Sequence, residues 1–89
     1  MKVKIRSLED IRTTHKIKDS MIIAKTCFYL DGDMSKLLNT TIEIDVEYLK
    51  RNRYNLYSVR SNDYWYIDLT LLEPFSRELV LAYVSNLKE

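Results

Sequence analysis

The chain has 89 residues, 46% of them hydrophobic, and a formal net charge of +1, which suits one globular domain. This charge excludes a protein-wide field that would attract nucleic acid or an acidic membrane. A single cysteine, Cys27, excludes an internal disulfide and fits a reducing compartment. The start, MKVKIRSLED, is not typical of a secretory signal, and no run of about 18 apolar residues is present. We therefore expect a soluble protein of the cytoplasm.

The first third of the chain combines short β-like and helical patterns. Val3 and Ile5 alternate with basic residues, which predicts a half-buried strand. Ser7, followed three residues later by an acid, is typical of a helix N-cap and predicts a helical turn. The apolar runs at 21–24 and 27–30 leave strand and extended loop open. With one glycine and one proline in the chain, we expect Asn, Asp and Ser to make the tight turns.

Two patterns follow in the middle of the chain. In DGDMSKLLN, Asp33 is predicted to cap a short helical turn over 33–38, which Asn39 ends with left-handed backbone. The next segment, TTIEIDVEY, alternates strictly and predicts a strand. Its apolar face would hold Ile42, Ile44, Val46 and Tyr48, and its solvent face Glu43, Asp45 and Glu47.

Aromatic residues dominate the following segments. YNLYSVR reads as a second strand after a basic turn, and NDYWYIDLTLLEPF as a turn and a third strand, which together indicate an antiparallel meander. Alternation places Trp65, Ile67 and Leu69 toward the core. It places Tyr64, Tyr66 and Asp68 on the exposed face.

The segment after Pro74 favours a helix, because Ser76 can cap it and good helix formers follow. A strand is the alternative for this segment, since residues 79–84 are apolar on every side. A helix on a small barrel buries one stripe of itself, so the rest needs another surface. We expect self-association, as a homodimer, through Leu79, Leu81 and Val84.

With the elements in this order, the chain resembles a group of small phage and prophage proteins with an SH3-like barrel. The resemblance rests on KVKIRS, FYLDGDMSKLLNTTIEI and YWYIDLTLLEP, and it covers roughly residues 2–74. One departure is Asn39, where the group usually has glycine. The resemblance implies a mainly β fold, a small SH3-like antiparallel barrel over residues 1–75. A short helical turn belongs to it, and a C-terminal segment over 76–89, helix or extra strand, packs on it or at an interface.

Signals for enzyme chemistry are weak. His15 lies in a polar loop and Cys27 follows an apolar pattern, and no motif surrounds either residue. Asp31 and Asp33 look like part of a calcium loop, but its further ligands and distal Glu are missing. We therefore expect no catalysis, no cofactor and no metal.

The function that fits best is non-catalytic binding of a protein. The phage resemblance implies a host partner in the host cytoplasm, and a defence nuclease complex that the protein inhibits is the specific hypothesis. The expected contact residues are Tyr64, Tyr66, Asp68, Glu43, Asp45 and Glu47. No membrane is expected as a partner.

Two alternatives stay open. The first is a nucleic-acid-binding accessory protein that uses a basic, aromatic hairpin over residues 48–60, since single-strand binders combine cations with stacking rings. Its contact residues would be Lys50, Arg51, Arg53, Tyr54, Tyr57 and Arg60. The second is a virion or assembly component.

Overall fold

Short segments form seven strands, three α-helices and two 3-10 helices within residues 1–87, the part of the chain that the computed structural model describes. The strands are β1 (Lys2–Lys4), β2 (Ile17–Lys18), β3 (Met21–Ile22), β4 (Phe28–Tyr29), β5 (Thr41–Glu43), β6 (Ser58–Arg60) and β7 (Tyr66–Asp68). The helices are α1 (Leu8–Ile11), α2 (Val46–Arg51) and α3 (Pro74–Leu87), and the 3-10 helices are Asp33–Leu37 and Leu69–Leu71.

The strands form three small antiparallel sheets, with the orders β1-β5, β2-β3-β4 and β6-β7. Isolated bridges extend the first sheet: Ile5, after β1, pairs with Leu72, and Ile44, after β5, pairs with Ser61 just after β6. The sheets remain open and do not close into a clear barrel, so the fold is mixed α and β rather than mainly β.

The core lies between these sheets and α3. Phe28, Ile67 and Leu71 are among its fully buried side chains. Helix α3 contributes Val80 and Val84 to this core, and the Ser76 hydroxyl accepts a hydrogen bond of 2.8 Å from the backbone N–H of Lys4. The helix predicted for this segment is confirmed, but Ser76 lies inside it and does not cap it. Val84 is wrongly placed on the self-association surface, since it is 4% exposed.

The strand predicted over TTIEIDVEY is wrong in its second half. β5 ends at Glu43, and α2 begins at Val46. Asp45 ends the extended backbone, because its side chain accepts a hydrogen bond of 2.9 Å from the backbone N–H of Glu47 and so caps the helix. The acidic row of Glu43, Asp45 and Glu47 therefore does not exist as one strand face.

The hairpin predicted over residues 48–60 is also wrong. Tyr48 to Arg51 belong to α2, a turn follows, and only Ser58–Arg60 form a strand. β6 then pairs with β7 instead of with β5, apart from the single bridge from Ile44 to Ser61. Lys50 and Arg51 thus lie on a helix, Arg53 in a turn, and Arg60 on a strand.

Local signals in the sequence are confirmed at several turns. The Ser7 hydroxyl accepts a hydrogen bond from the backbone N–H of Asp10 and caps α1. Asn39 has a φ of 59°, the left-handed backbone expected of it. Asp33 begins the 3-10 helix, but Gly32 takes the N-cap position and the Asp33 side chain makes no cap bond. The runs at 21–24 and 27–30 contain β3 and β4.

Candidate functional site

The turn between β6 and β7 holds an aromatic ring on unusual backbone. Tyr64 has a φ of 68° and donates its backbone N–H to the carbonyl of Ser61 over 2.9 Å. Its side chain is 69% exposed. Within the part of the chain that the structure describes, the other non-glycine residues with positive φ are Asp19, Ser20 and Asn39, small polar types typical of turns. A bulky residue there is strained, and burial does not explain why it is a tyrosine.

Tyr64 lines a groove with residues from the middle of the chain. The groove has a volume of about 440 Å³. We call it the aromatic groove, and its side chains include Cys27, Tyr29, Met34, Tyr64, Trp65 and Tyr66. Strand β4, the Asp33–Leu37 helix and the β6–β7 hairpin thus meet here, which the linear sequence did not indicate.

A second depression of about 510 Å³ adjoins the aromatic groove and shares Tyr29, Met34 and Trp65 with it. Asp31, Gly32 and Asp33 complete its lining. We call this part the acidic end of the groove. Asp33 also forms a 3.1 Å salt bridge with Lys36, and both side chains are largely exposed.

The segments that line the groove are anchored in the core. Phe28, next to Tyr29 on β4, is fully buried, and so is Ile67, next to Tyr66 on β7. Met34 is buried as well, and its sulfur accepts a hydrogen bond of 3.4 Å from the backbone N–H of Tyr29. Trp65, predicted as a core residue, packs against the core but stays half-buried. Its remaining surface faces both parts of the groove.

Arg60 supports the outer side of Tyr64. Its guanidinium lies 4.9 Å from the centre of the Tyr64 ring and 5.9 Å from that of Tyr48, and it forms a salt bridge with Asp45. Partial burial raises the pKa of Asp45, but the hydrogen bonds from Arg60 and from two backbone N–H groups outweigh it and lower that pKa overall. Tyr66 packs edge-on against Tyr48 at 5.8 Å. The hairpin rings are therefore held in defined positions.

Of the acidic residues predicted as contacts, none lies in the aromatic groove. Glu43 binds the amino group of Met1 over 2.6 Å, which lowers the pKa of Glu43, and Glu47 binds Lys50 over 3.2 Å. The carboxylate of Asp45 forms its salt bridge with Arg60.

Asp68, predicted to be exposed, is 3% exposed. Its carboxylate accepts hydrogen bonds of 2.8 Å and 2.9 Å from the backbone N–H groups of Thr26 and Thr70, and a third of 2.7 Å from the Thr70 hydroxyl. Asp68 is therefore buried and hydrogen-bonded at the end of β7, and it is not on the exposed face predicted for it.

The basic residues of the nucleic-acid alternative are divided between two surfaces. Arg53 donates to the carbonyl of Lys50 over 2.5 Å and lies 4.9 Å from the centre of the Tyr54 ring. Tyr57 is covered instead by Lys25, 3.5 Å from its ring centre. Arg60 lies at the hairpin, away from this group, while Arg51 is exposed at the end of α2.

His15 and Cys27 have structural partners. The imidazole of His15 forms hydrogen bonds of 2.8 Å with the hydroxyls of both Thr14 and Thr70. The Cys27 thiol contacts the carbonyl of Ala24 over 3.6 Å. Among residues 1–87, no group of three or more His, Cys, Asp or Glu side chains is placed to hold a metal ion.

The outer face of α3 carries exposed apolar side chains. Phe75 is 73% exposed, and Leu79 and Leu81 are also exposed. Phe75 and Leu79 lie one helical turn apart, so they share a face.

Across the described helices, none has the length and apolar character needed to cross a membrane.

No protein-family model, no curated protein and no solved structure matches this chain. The site therefore has to be interpreted from its own geometry. The sequence pointed to Tyr64 and Tyr66 but missed Tyr29, Met34 and Asp31. A signal for Tyr29 existed, because it alternates with the buried Phe28.

Proposed function

We propose that this chain is a non-catalytic binding protein and that a protein partner occupies the aromatic groove. The observation that carries the proposal is Tyr64, a bulky residue kept exposed on left-handed backbone. Strained backbone that packing does not require points toward function. The ring extends the groove that Tyr29, Trp65 and Tyr66 line.

The composition of the groove favours a protein over a small metabolite. Tyrosine, tryptophan and methionine are enriched at protein interfaces, where they bury much area and lose little side-chain entropy. The groove is open at the surface, and two of its rings are anchored: Trp65 packs against the core, and the backbone of Tyr29 is bonded to the buried Met34. Such anchored rings are typical of residues that dominate binding energy.

A display selection tests this proposal. Wild type and Tyr64→Gly would be immobilised side by side and exposed to a random-peptide library. We expect enriched peptides that bind wild type and lose at least about tenfold in affinity on Tyr64→Gly, the scale of one interface anchor. Ligands that bind both proteins equally, or no ligand at all, would contradict it.

The finer proposal, supported by the resemblance of the sequence to phage proteins, is an open variant of the SH3-like fold that engages a host protein. A defence nuclease complex is the specific candidate. Affinity purification from host lysate tests it, with Tyr64→Gly as the matched control. Recovery of the same proteins with both baits would count against it, as would recovery of virion proteins, which fits the assembly alternative.

A second candidate is nucleic-acid binding at the surface formed by Arg53, Tyr54, Tyr57 and Lys25. Two cation–ring pairs next to each other favour it. Binding of an oligonucleotide that falls steeply with salt and is lost in Arg53→Gln with Lys25→Gln would support it. Binding unchanged in that variant would dismiss this surface.

A further inference from the structure

We propose that the partner segment is an extended peptide bearing Lys or Arg, whose cation lies over Trp65 and Tyr29 beside Asp31 and Asp33. This inference rests on the proposed function and specifies the ligand chemistry of the same groove. Its first support is charge. The charged residues that line the aromatic groove and its acidic end are Asp31 and Asp33, both negative, although the whole chain carries +1.

The two carboxylates are available to a ligand. Asp31 is exposed and has no salt-bridge partner among residues 1–87. Asp33 pairs with Lys36 alone of the described residues, and both side chains are 79% exposed. An exposed pair of this kind is weak and exchanges readily with another cation. A cationic side chain from a partner can therefore replace Lys36 at little cost.

The second support is the distribution of cations over the exposed rings. Tyr54, Tyr57 and Tyr64 each have a cation of the chain above their ring. Tyr29 is exposed and Trp65 half-buried, and neither has such a cation within the described residues. Tryptophan is the ring that binds cations best. Tyr66 and Phe75 are exposed without a cation as well, but of these four rings only Tyr29 and Trp65 line the acidic end.

The shape of the site fits an extended segment rather than a single side chain. The two depressions share Tyr29, Met34 and Trp65, so a bound chain can cross from the hairpin rings to the acidic end. Apolar or proline side chains suit the end at Tyr64, and a cation suits the end at Asp31. Nucleic acid is disfavoured here because its phosphates would approach two carboxylates.

The test uses Trp65, the one tryptophan of the chain, as a fluorescent reporter inside the groove. The probes are three blocked nonapeptides with three repeats of Gly-Ser-Arg, Gly-Ser-Gln or Gly-Ser-Glu. We expect saturable change in Trp65 emission with the Arg peptide, and at least about fivefold weaker binding of the Gln peptide, the scale of one cation–ring contact with its charge. The Glu peptide should not bind.

Asp31→Asn with Asp33→Asn should weaken the Arg peptide at least about fivefold. The matched control, Glu9→Gln with Glu78→Gln, makes the same charge change at exposed carboxylates outside the groove and should leave affinity within about twofold. Circular dichroism verifies that both variants fold.

Several results would overturn the inference: no binding of the Arg peptide at millimolar concentration, equal binding of all three probes, equal losses in both double variants, or stronger binding of oligothymidine. Failure of the inference is distinguishable from failure of the proposed function. If the peptides from the display selection bind through Tyr64 but contain no Lys or Arg, the proposed protein-binding function would stand. Only the inference that the bound segment carries a cation would then be wrong.

Discussion

Replacement of Tyr64 by glycine separates strain from packing at the hairpin. Left-handed backbone costs an L-residue about 1–2 kcal/mol, and glycine avoids this cost. Against that gain stand the contact with Arg60, about 0.5–1 kcal/mol at an exposed site, and the extra freedom of unfolded glycine, about 0.5–1 kcal/mol. The terms nearly cancel. We expect the free energy of unfolding of Tyr64→Gly to stay within about 1 kcal/mol of wild type, although a large ring is removed.

Tyr64→Val is the matched control, since it also removes the ring but keeps a side chain that resists positive φ. It should be less stable than Tyr64→Gly by about 1 kcal/mol, because the strain of about 1–2 kcal/mol is partly offset by the extra unfolded freedom of glycine, about 0.5–1 kcal/mol. Urea denaturation followed by far-UV circular dichroism measures both variants. A loss of more than about 2 kcal/mol in Tyr64→Gly would show that the ring is structural. Equal stability of the two variants would show that the backbone at this position is not strained, and either result would refute the reasoning.

Four further predictions follow from the contacts. Ile67→Ala should cost about 2–5 kcal/mol of stability in thermal or urea melts because it empties a fully buried position; a loss below 1 kcal/mol would contradict the core assignment. Asp68→Asn should destabilise by about 1–3 kcal/mol in the same melts, since an amide cannot accept three hydrogen bonds at the carboxylate positions. The lowered pKa of Asp45 makes its stabilising contribution complete above its ordinary value of 3.8 and lost as pH falls through the folded value; the stability difference between wild type and Asp45→Asn should therefore shrink below pH 3.8, and a difference that stays constant would refute the linkage. Finally, Phe75→Lys with Leu79→Lys should reduce any self-association seen by light scattering, and a wild type that stays monomeric at high micromolar concentration would exclude this surface as a dimer contact.

Local signals in the sequence predicted local structure well. The Ser7 cap, the left-handed Asn39 and the helix after Pro74 depend on residues within a few positions of each other, and all three are confirmed. The segment TTIEIDVEY misled because its Val46 also forms a helical pair with Leu49, the residue directly after the segment. The Asp45 side chain caps α2 and so favours the helix over the strand, and the alternating pattern gave no sign of this cap.

The candidate site was predictable only in its hairpin half. Exposure of Tyr64 and Tyr66 was predicted from alternation within one strand. The structure confirms the exposure of both, although Tyr64 lies in the turn before β7. Tyr29 and Asp31 reach the groove through tertiary packing of β4 against the β6–β7 region, and no local pattern specifies that contact. The burial of Asp68 has the same origin, since one of its donors is the distant Thr26.

The measurement that tests the proposed binding surface most directly is a chemical-shift map. The ¹⁵N-labelled chain would be titrated with the tightest peptide from the display selection. The proposal predicts that the Trp65 indole and the amides of Tyr29, Tyr64 and Tyr66 shift first and most. Shifts confined to residues 51–57 or to the outer face of α3 near Phe75, with the Trp65 indole unmoved, would contradict it.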